Sequence, residues 1–230
     1  MVKIEIKGPI ISDSQQWIYD WFDMPATSPK KVNDLISQAL PGEDLEVIIN
    51  SGGGSVFAGS EIFTSFRDHK GNVKGKIVGL AASAASVIAM GIKDLSISPT
   101  AQIMIHRAST YGEGNAEDMQ KTIDMLNGID KSIANAYILK TGIDKNTLLN
   151  MMSKETWLDA ESAKELGFVN SIMFEEEFQA VASINNNGML PDNIINKLMD
   201  EFKNTMEFKK NQNINNDLEL AKAKLKITML

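Results

Sequence analysis

Apolar and β-branched runs alternate with segments of helical spacing along most of the chain, and the alternation fades near residue 175. Residues 2–12 read as a short strand. SPKKVNDLISQAL, residues 28–40, opens on Ser-Pro and spaces its apolar residues as a helix does. LEVIINS, residues 45–51, is apolar and β-branched enough for a strand covered on both faces. It runs into GGGS and then into VFAGSEIFTSFRDHK, whose apolar positions suit a helix. The unit then recurs: KIVGLA predicts a strand, the small residues from about Ala82 to Met90 a helix, and LSISP and QIMIH two more strands. Strand, glycine-containing turn, helix and strand again predict an α/β domain built of crossover units.

Farther on, Asn115 to Lys140 carries Met119, Ile123, Leu126, Ile129, Ile133 and Ala136 at the spacing of a long amphipathic helix. A second helix is predicted near Lys145 to Met152. TWLDAESAKELGFVNSI reads as a short strand, a helix capped by Asp159 and stopped by Gly167, and a final strand. Beyond about Glu175, polar stretches such as INNNG and KKNQNINN leave little for a core. Residues 1–175 therefore form the expected domain, and 176–230 a partly helical or mobile tail.

Composition narrows the function classes. A chain of 230 residues, 43% hydrophobic and 23% charged, can bury one core and carry one appendage. Its net charge of -7 offers no dense basic cluster to neutralise phosphates, so no nucleic-acid partner is expected. The N-terminus lacks a signal-peptide core, and no apolar run approaches the roughly 20 residues of a spanning helix, so a cytoplasmic protein without a membrane partner is expected. Cysteine is absent, which excludes disulfides, thiolate metal sites and a cysteine nucleophile. With His69 and His106 as the whole histidine complement, neither a histidine-rich metal site nor a cofactor is predicted.

The candidate chemistry begins in GLAASAASVIAMG, residues 79–91. A nucleophilic serine works best between a strand end and a helix start, where unpaired N–H groups can receive an oxyanion, and Ser83 occupies that position. Ser86, a turn farther in, suits a serine that bonds back to the helix or packs against a neighbour. The same stretch also reads simply as a tightly packed small-residue helix. NSGGGS, residues 50–55, presents bare backbone N–H groups at another strand end, without the Lys-Ser or Lys-Thr of a phosphate loop or the spacing of a dinucleotide site. His106 closes QIMIH and reads equally as a structural histidine or a base. His69, in RDHKGN, sits in a charged turn where solvation is expected.

Together INSGGG, GLAASAAS, IMIHRA and ETWLDAESAKELGFVNSI resemble, in order and spacing, the ClpP family of serine peptidases, and particularly its bacteriophage branch of head-maturation proteases. The likeness spans about residues 2–175. It implies the ClpP/crotonase-like fold of stacked ββα units, with a head (1–110 and 143–175) and a protruding helical handle (about 111–142). It implies a triad of Ser83, His106 and Glu155, oxyanion-hole amides at Gly53 and Ala84, and substrate added as a β-strand along GGGS and STYGEG, through Gly52, Gly54, Tyr111 and Gly112. The implied partners are a polypeptide substrate, further copies in a ring, and either a Clp-type ATPase or phage capsid and scaffold proteins. The N-terminal IEIKGPIISDSQQWIYDWF departs from the housekeeping axial loop, and the tail runs past the family's last core strand. Both favour the phage branch.

The sequence departs from the family at the acid, where the family has aspartate and this chain Glu155. Asp159 is the competing acid, although its position predicts a helix cap. The family's Ser-Pro-Gly-Gly is SGGG here, and its Met-Gly after the serine is Ala-Ala. The alternatives to a peptidase are a crotonase-type acyl-CoA enzyme, which shares the fold but needs no Ser-His pair, and a catalytically silent ring protein.

Overall fold

Among the described residues seven strands form one sheet: β1 (Val2–Lys7), β2 (Leu45–Ser51), β3 (Val73–Ala82), β4 (Asp94–Ile97), β5 (Gln102–Ile105), β6 (Thr156–Leu158) and β7 (Ser171–Ile172). Between and beside them lie α1 (Gln16–Trp21), α2 (Pro29–Ile36), α3 (Val56–Asp68), α4 (Ala84–Met90), α5 (Ala116–Thr141), α6 (Lys145–Ser153) and α7 (Ala160–Glu165). The computed structural model describes residues 1–175 and three helical positions beyond them, Ile195, Asn196 and Met199. The chain divides into two units, Met1–Glu176 and Glu177–Leu230. Apart from those three positions, the tail expected over 176–230 lies outside the described residues.

The main path of the sheet runs β1-β2-β3-β4-β7, every pair parallel, as crossover connections require. β3 is ten residues long and changes partner along its length. Lys74 to Ile77 pair with β4, whereas Leu80 to Ala82 pair with Gln102 to Met104 of β5. β6 then adds to β5 antiparallel, with Ile105 opposite Thr156. The carboxyl ends of β3 and β5 and the start of β6 therefore meet on one side of the sheet, where open α/β sheets bind ligands.

Local chemistry accounts for most boundaries. Ser28 caps α2 with Pro29 at its first position, and Asn115 and Asp118 form a reciprocal capping box at the start of α5. Gly142, at φ 73°, ends α5 in the left-handed conformation that glycine adopts without strain. Asp159 caps α7 through the Ser162 N–H at 2.8 Å, as the sequence predicts.

Three expectations are corrected. β2 is not covered on both faces: Leu45, Val47, Ile49 and Ser51 are buried, but Glu46 and Ile48 are only partly covered and Asn50 is exposed. Lys3, Glu5 and Lys7 of β1 and Lys74 of β3 also lie exposed, and Lys76 bridges to Glu46 at 2.7 Å. Along β1 and β2 the described helices cover one face, where Ile4, Ile6, Val47 and Ile49 join Ile77 of β3 and Ile62, Phe66, Val87 and Ile88 in the core. Secondly, residues 8–12 do not extend the first strand. Thirdly, His69 is half-buried, with Nε2 2.7 Å from the Glu43 carbonyl, and serves as a link between turns.

Candidate active site

Ser83 follows the last residue of β3, and His106 follows the last residue of β5. These neighbouring parallel strands pair Ala82 with Met104, and the Ser83 N–H donates to the Met104 carbonyl at 2.9 Å. The strand ends thus deliver the two side chains to one place. His106 Nε2 lies 2.7 Å from Ser83 Oγ, a hydrogen bond between a hydroxyl and an imidazole that are both partly accessible, as a nucleophile and its base need to be.

Ser83 adopts φ 55° and ψ -124°, a conformation that costs any residue with a Cβ. Its side chain makes no cap bond to α4 and is free for His106. A sharp strand-to-helix turn of this kind projects the hydroxyl out of the sheet and leaves the next amide, Ala84 N–H, at the start of the helix. That N–H has no acceptor among the described residues.

The glycine loop closes against this turn. Gly53, at φ 95°, is buried so tightly that a Cβ there would lie 2.7 Å from Ser83 Cβ and 2.9 Å from the Ala84 nitrogen. Only glycine admits that approach. A Cβ on Gly54 would meet the Ile10 carbonyl oxygen at 2.2 Å, because Ile10 N–H donates to Gly53 O and Ser55 N–H to Ile10 O, fastening the loop to the segment after β1. The Gly53 N–H donates to Ser51 Oγ at 3.1 Å, whereas that of Gly54 has no acceptor among the described residues. Gly52 and Gly54 are exposed, as substrate contacts would need.

Glu155 stands where the β5–β6 register places it. Pairs 103–158, 104–157 and 105–156 extend by one step to His106 and Glu155, with Glu155 at φ 51°. The structure does not join its carboxylate to His106: Glu155 Oε1 instead accepts from Trp157 Nε1 at 3.3 Å, both side chains being exposed. Asp159 is occupied as the α7 cap, and the Ser162 N–H holds its carboxyl below the usual range. Tyr111 and Gly112 lie on an exposed segment without regular structure between His106 and α5, and Tyr111 is fully exposed.

Sequence reasoning missed two contributors on α5. Asp130 is buried beside the site; its Oδ1 accepts from the Ala108 N–H at 2.8 Å and its Oδ2 lies 3.7 Å from Arg107 Nη1, just past His106. Tyr137 is buried with its hydroxyl 2.8 Å from Ser86 Oγ, and burial pushes the phenol well above its ordinary pKa. Polar tips inside an otherwise apolar stripe were the available signal. Among the described residues, no group of three metal-ligating side chains occurs and no helix is long and apolar enough to cross a membrane.

Residues 32–176 match the family model described as Clp protease. The chain is 28% identical over 152 residues to ATP-dependent Clp protease proteolytic subunit 1 of Salinibacter ruber, covering 65% of each chain. It is 30% identical over 138 residues to the subunit of that name in Chlamydia abortus, covering 58% of this chain and 72% of the relative. For the Chlamydia caviae subunit the figures are 30% over 164 residues, 67% and 85%. The chain thus spans about two thirds of the first of these relatives' length.

Proposed function

The chain belongs to the Clp protease family, and from that premise we propose that it is a serine endopeptidase in which Ser83 is the nucleophile, His106 the general base and Glu155 the acid. The observation that carries this reading is the 2.7 Å contact between Ser83 Oγ and His106 Nε2 at adjacent strand ends, beside a glycine loop. His106 takes the Ser83 proton as Oγ bonds to the scissile carbonyl carbon, then returns it to the leaving amine as the C–N bond breaks. Water, deprotonated by the same imidazole, attacks the acyl-enzyme and frees Ser83. Ala84 N–H and the N–H groups of the Gly53–Gly54 pair receive the oxyanion. Gly54 is the readier donor, and Gly53 contributes once Ser51 Oγ releases it.

Substrate lies extended between GGGS and the STYGEG segment, main chain to main chain, which suits broad sequence tolerance. Copies assemble into a ring, and the exposed first half of α5, with Ile123 and Met125 each 50% exposed, makes the contact between them. The resemblance to head-maturation proteases makes phage capsid or scaffold protein the substrate, inside the host cytoplasm or the prohead. The names of the bacterial relatives make a Clp-type ATPase the rival partner.

The position of Glu155 favours one second reading. With its carboxylate on Trp157, the chain acts as a catalytically silent ring protein. A crotonase-type activity leaves the Ser83–His106 contact without a role. Labelling with a fluorophosphonate separates them: wild type is expected to label at Ser83, mapped by mass spectrometry, and Ser83→Ala to lose the label. A wild type that stays unlabelled, or a Ser83→Ala variant that keeps its label, overturns the proposal.

A further inference from the structure

The backbone of Ser83 needs a restraint, because φ 55° is unfavourable for a residue with a side chain. Its carbonyl supplies one by accepting three hydrogen bonds: from the Ser86 N–H at 3.0 Å, from the Val87 N–H at 3.2 Å and from Ser86 Oγ at 2.6 Å. Since a carbonyl can only accept, the Ser86 hydroxyl proton is committed to it. The Tyr137 hydroxyl, 2.8 Å from Ser86 Oγ, must then be the donor of that second bond. The result is a directed chain, Tyr137 O–H to Ser86 O–H to Ser83 C=O, reaching the nucleophile from α5. Ser86 and Tyr137 are both buried, and Tyr137 OH has no other partner among the described residues.

The carbonyl that ends this chain shares a planar peptide unit with the Ala84 N–H. In a trans peptide the two point in opposite directions, so fixing one aims the other. We propose that Ser86 and Tyr137 are positioning residues that aim the Ala84 N–H at the developing oxyanion by anchoring the far side of its peptide plane. This rests on the reading of Ser83 as nucleophile and gives Ser86 a role beyond packing. A misdirected donor weakens the transition state and leaves ground-state binding alone.

The test is the fluorophosphonate reaction of the full chain, with the maximal rate of phosphonylation separated from the concentration giving half that rate, and melting followed in parallel. Ser86→Ala is expected to lower the maximal rate about ten- to a hundredfold with the half-saturating concentration unchanged, the label still on Ser83. Tyr137→Phe, which keeps the ring, should lower it about threefold. The double variant should match Ser86→Ala, because Tyr137 acts only through Ser86. A folded Ser86→Ala that reacts at the wild-type rate, a loss confined to half-saturation, or a double variant showing the product of the two losses overturns the proposal. Should Ser86→Ala melt below the assay temperature, Tyr137→Phe decides alone, and an unchanged maximal rate overturns it. A wild type that never labels sinks the nucleophile assignment instead.

Discussion

Ser83 and Ser86 stand three residues apart in one small-residue stretch, yet their backbones are in different situations. Ser83 holds a left-handed φ, while Ser86 lies within α4. Strain of this kind costs on the order of 1–3 kcal/mol and is removed by deleting the Cβ. Ser83→Gly and Ser83→Ala both lose the His106 contact, but only the alanine keeps the strained Cβ. Ser83→Gly is therefore expected to melt about 2–4 °C above Ser83→Ala, from a difference of about 1 kcal/mol; equal melting temperatures would show the turn to be relaxed. The strand-end positions of Ser83 and His106 were legible from spacing, whereas the roles expected of them came from the resemblance. The carboxylate direction of Glu155 was not legible, because it depends on Trp157, two residues on in the short strand that follows, whose indole takes it.

At the scale of elements, apolar spacing, small residues and cap signals between them located every helix of residues 1–175 except α1. That helix is six residues long, and Trp17, Ile18, Trp21 and Phe22 on and after it are exposed, so no inward stripe marks it. α5 is the opposite case. Its stripe announces a helix over 26 residues, about 39 Å, but not that burial starts only near Asp130 or that one face carries both Asp130 and Tyr137, two turns apart. The Asp130 carboxylate anchors the chain just beyond His106. Asp130→Ala leaves the Ala108 N–H without its partner and is expected to cost about 2 kcal/mol in urea unfolding. Asp130→Asn, which retains an acceptor oxygen, should lose less. Equal losses would mean that the charge facing Arg107, not the bond to Ala108, is what holds this segment.

For the whole molecule, the α/β class and the succession of strands and helices along the chain were readable, whereas the order of strands in the sheet and the open face of β1 and β2 were not. Apolar β2 looks fully enclosed until Lys76 and Glu46 are seen paired on its open face. Away from the site, Lys140 ties α5 to two loops through the carbonyls of Ile92 and Lys93 and the Asn170 amide oxygen, at 3.0, 2.8 and 2.8 Å. Burial, with a smaller effect from Arg67, lowers its pKa from 10.5 to about 8, against the pull of Asp94. Between those two values the unfolded chain holds a proton that the folded one has released, so stability rises with pH across that window and is level below it. The urea midpoint of wild type relative to Lys140→Met should climb from pH 8 to 10.5; a flat difference would count against a lowered Lys140. The change of partner along β3 also bears on how the molecule comes apart. Ser83 hangs from a strand clasped by β2, β4 and β5, whereas Glu155 precedes a three-residue edge strand with one neighbour. Amide exchange and local opening reach such an edge first. On warming, Glu155 is expected to lose its place while Ser83 and His106 stay in register, so the three proposed site residues part in stages rather than together.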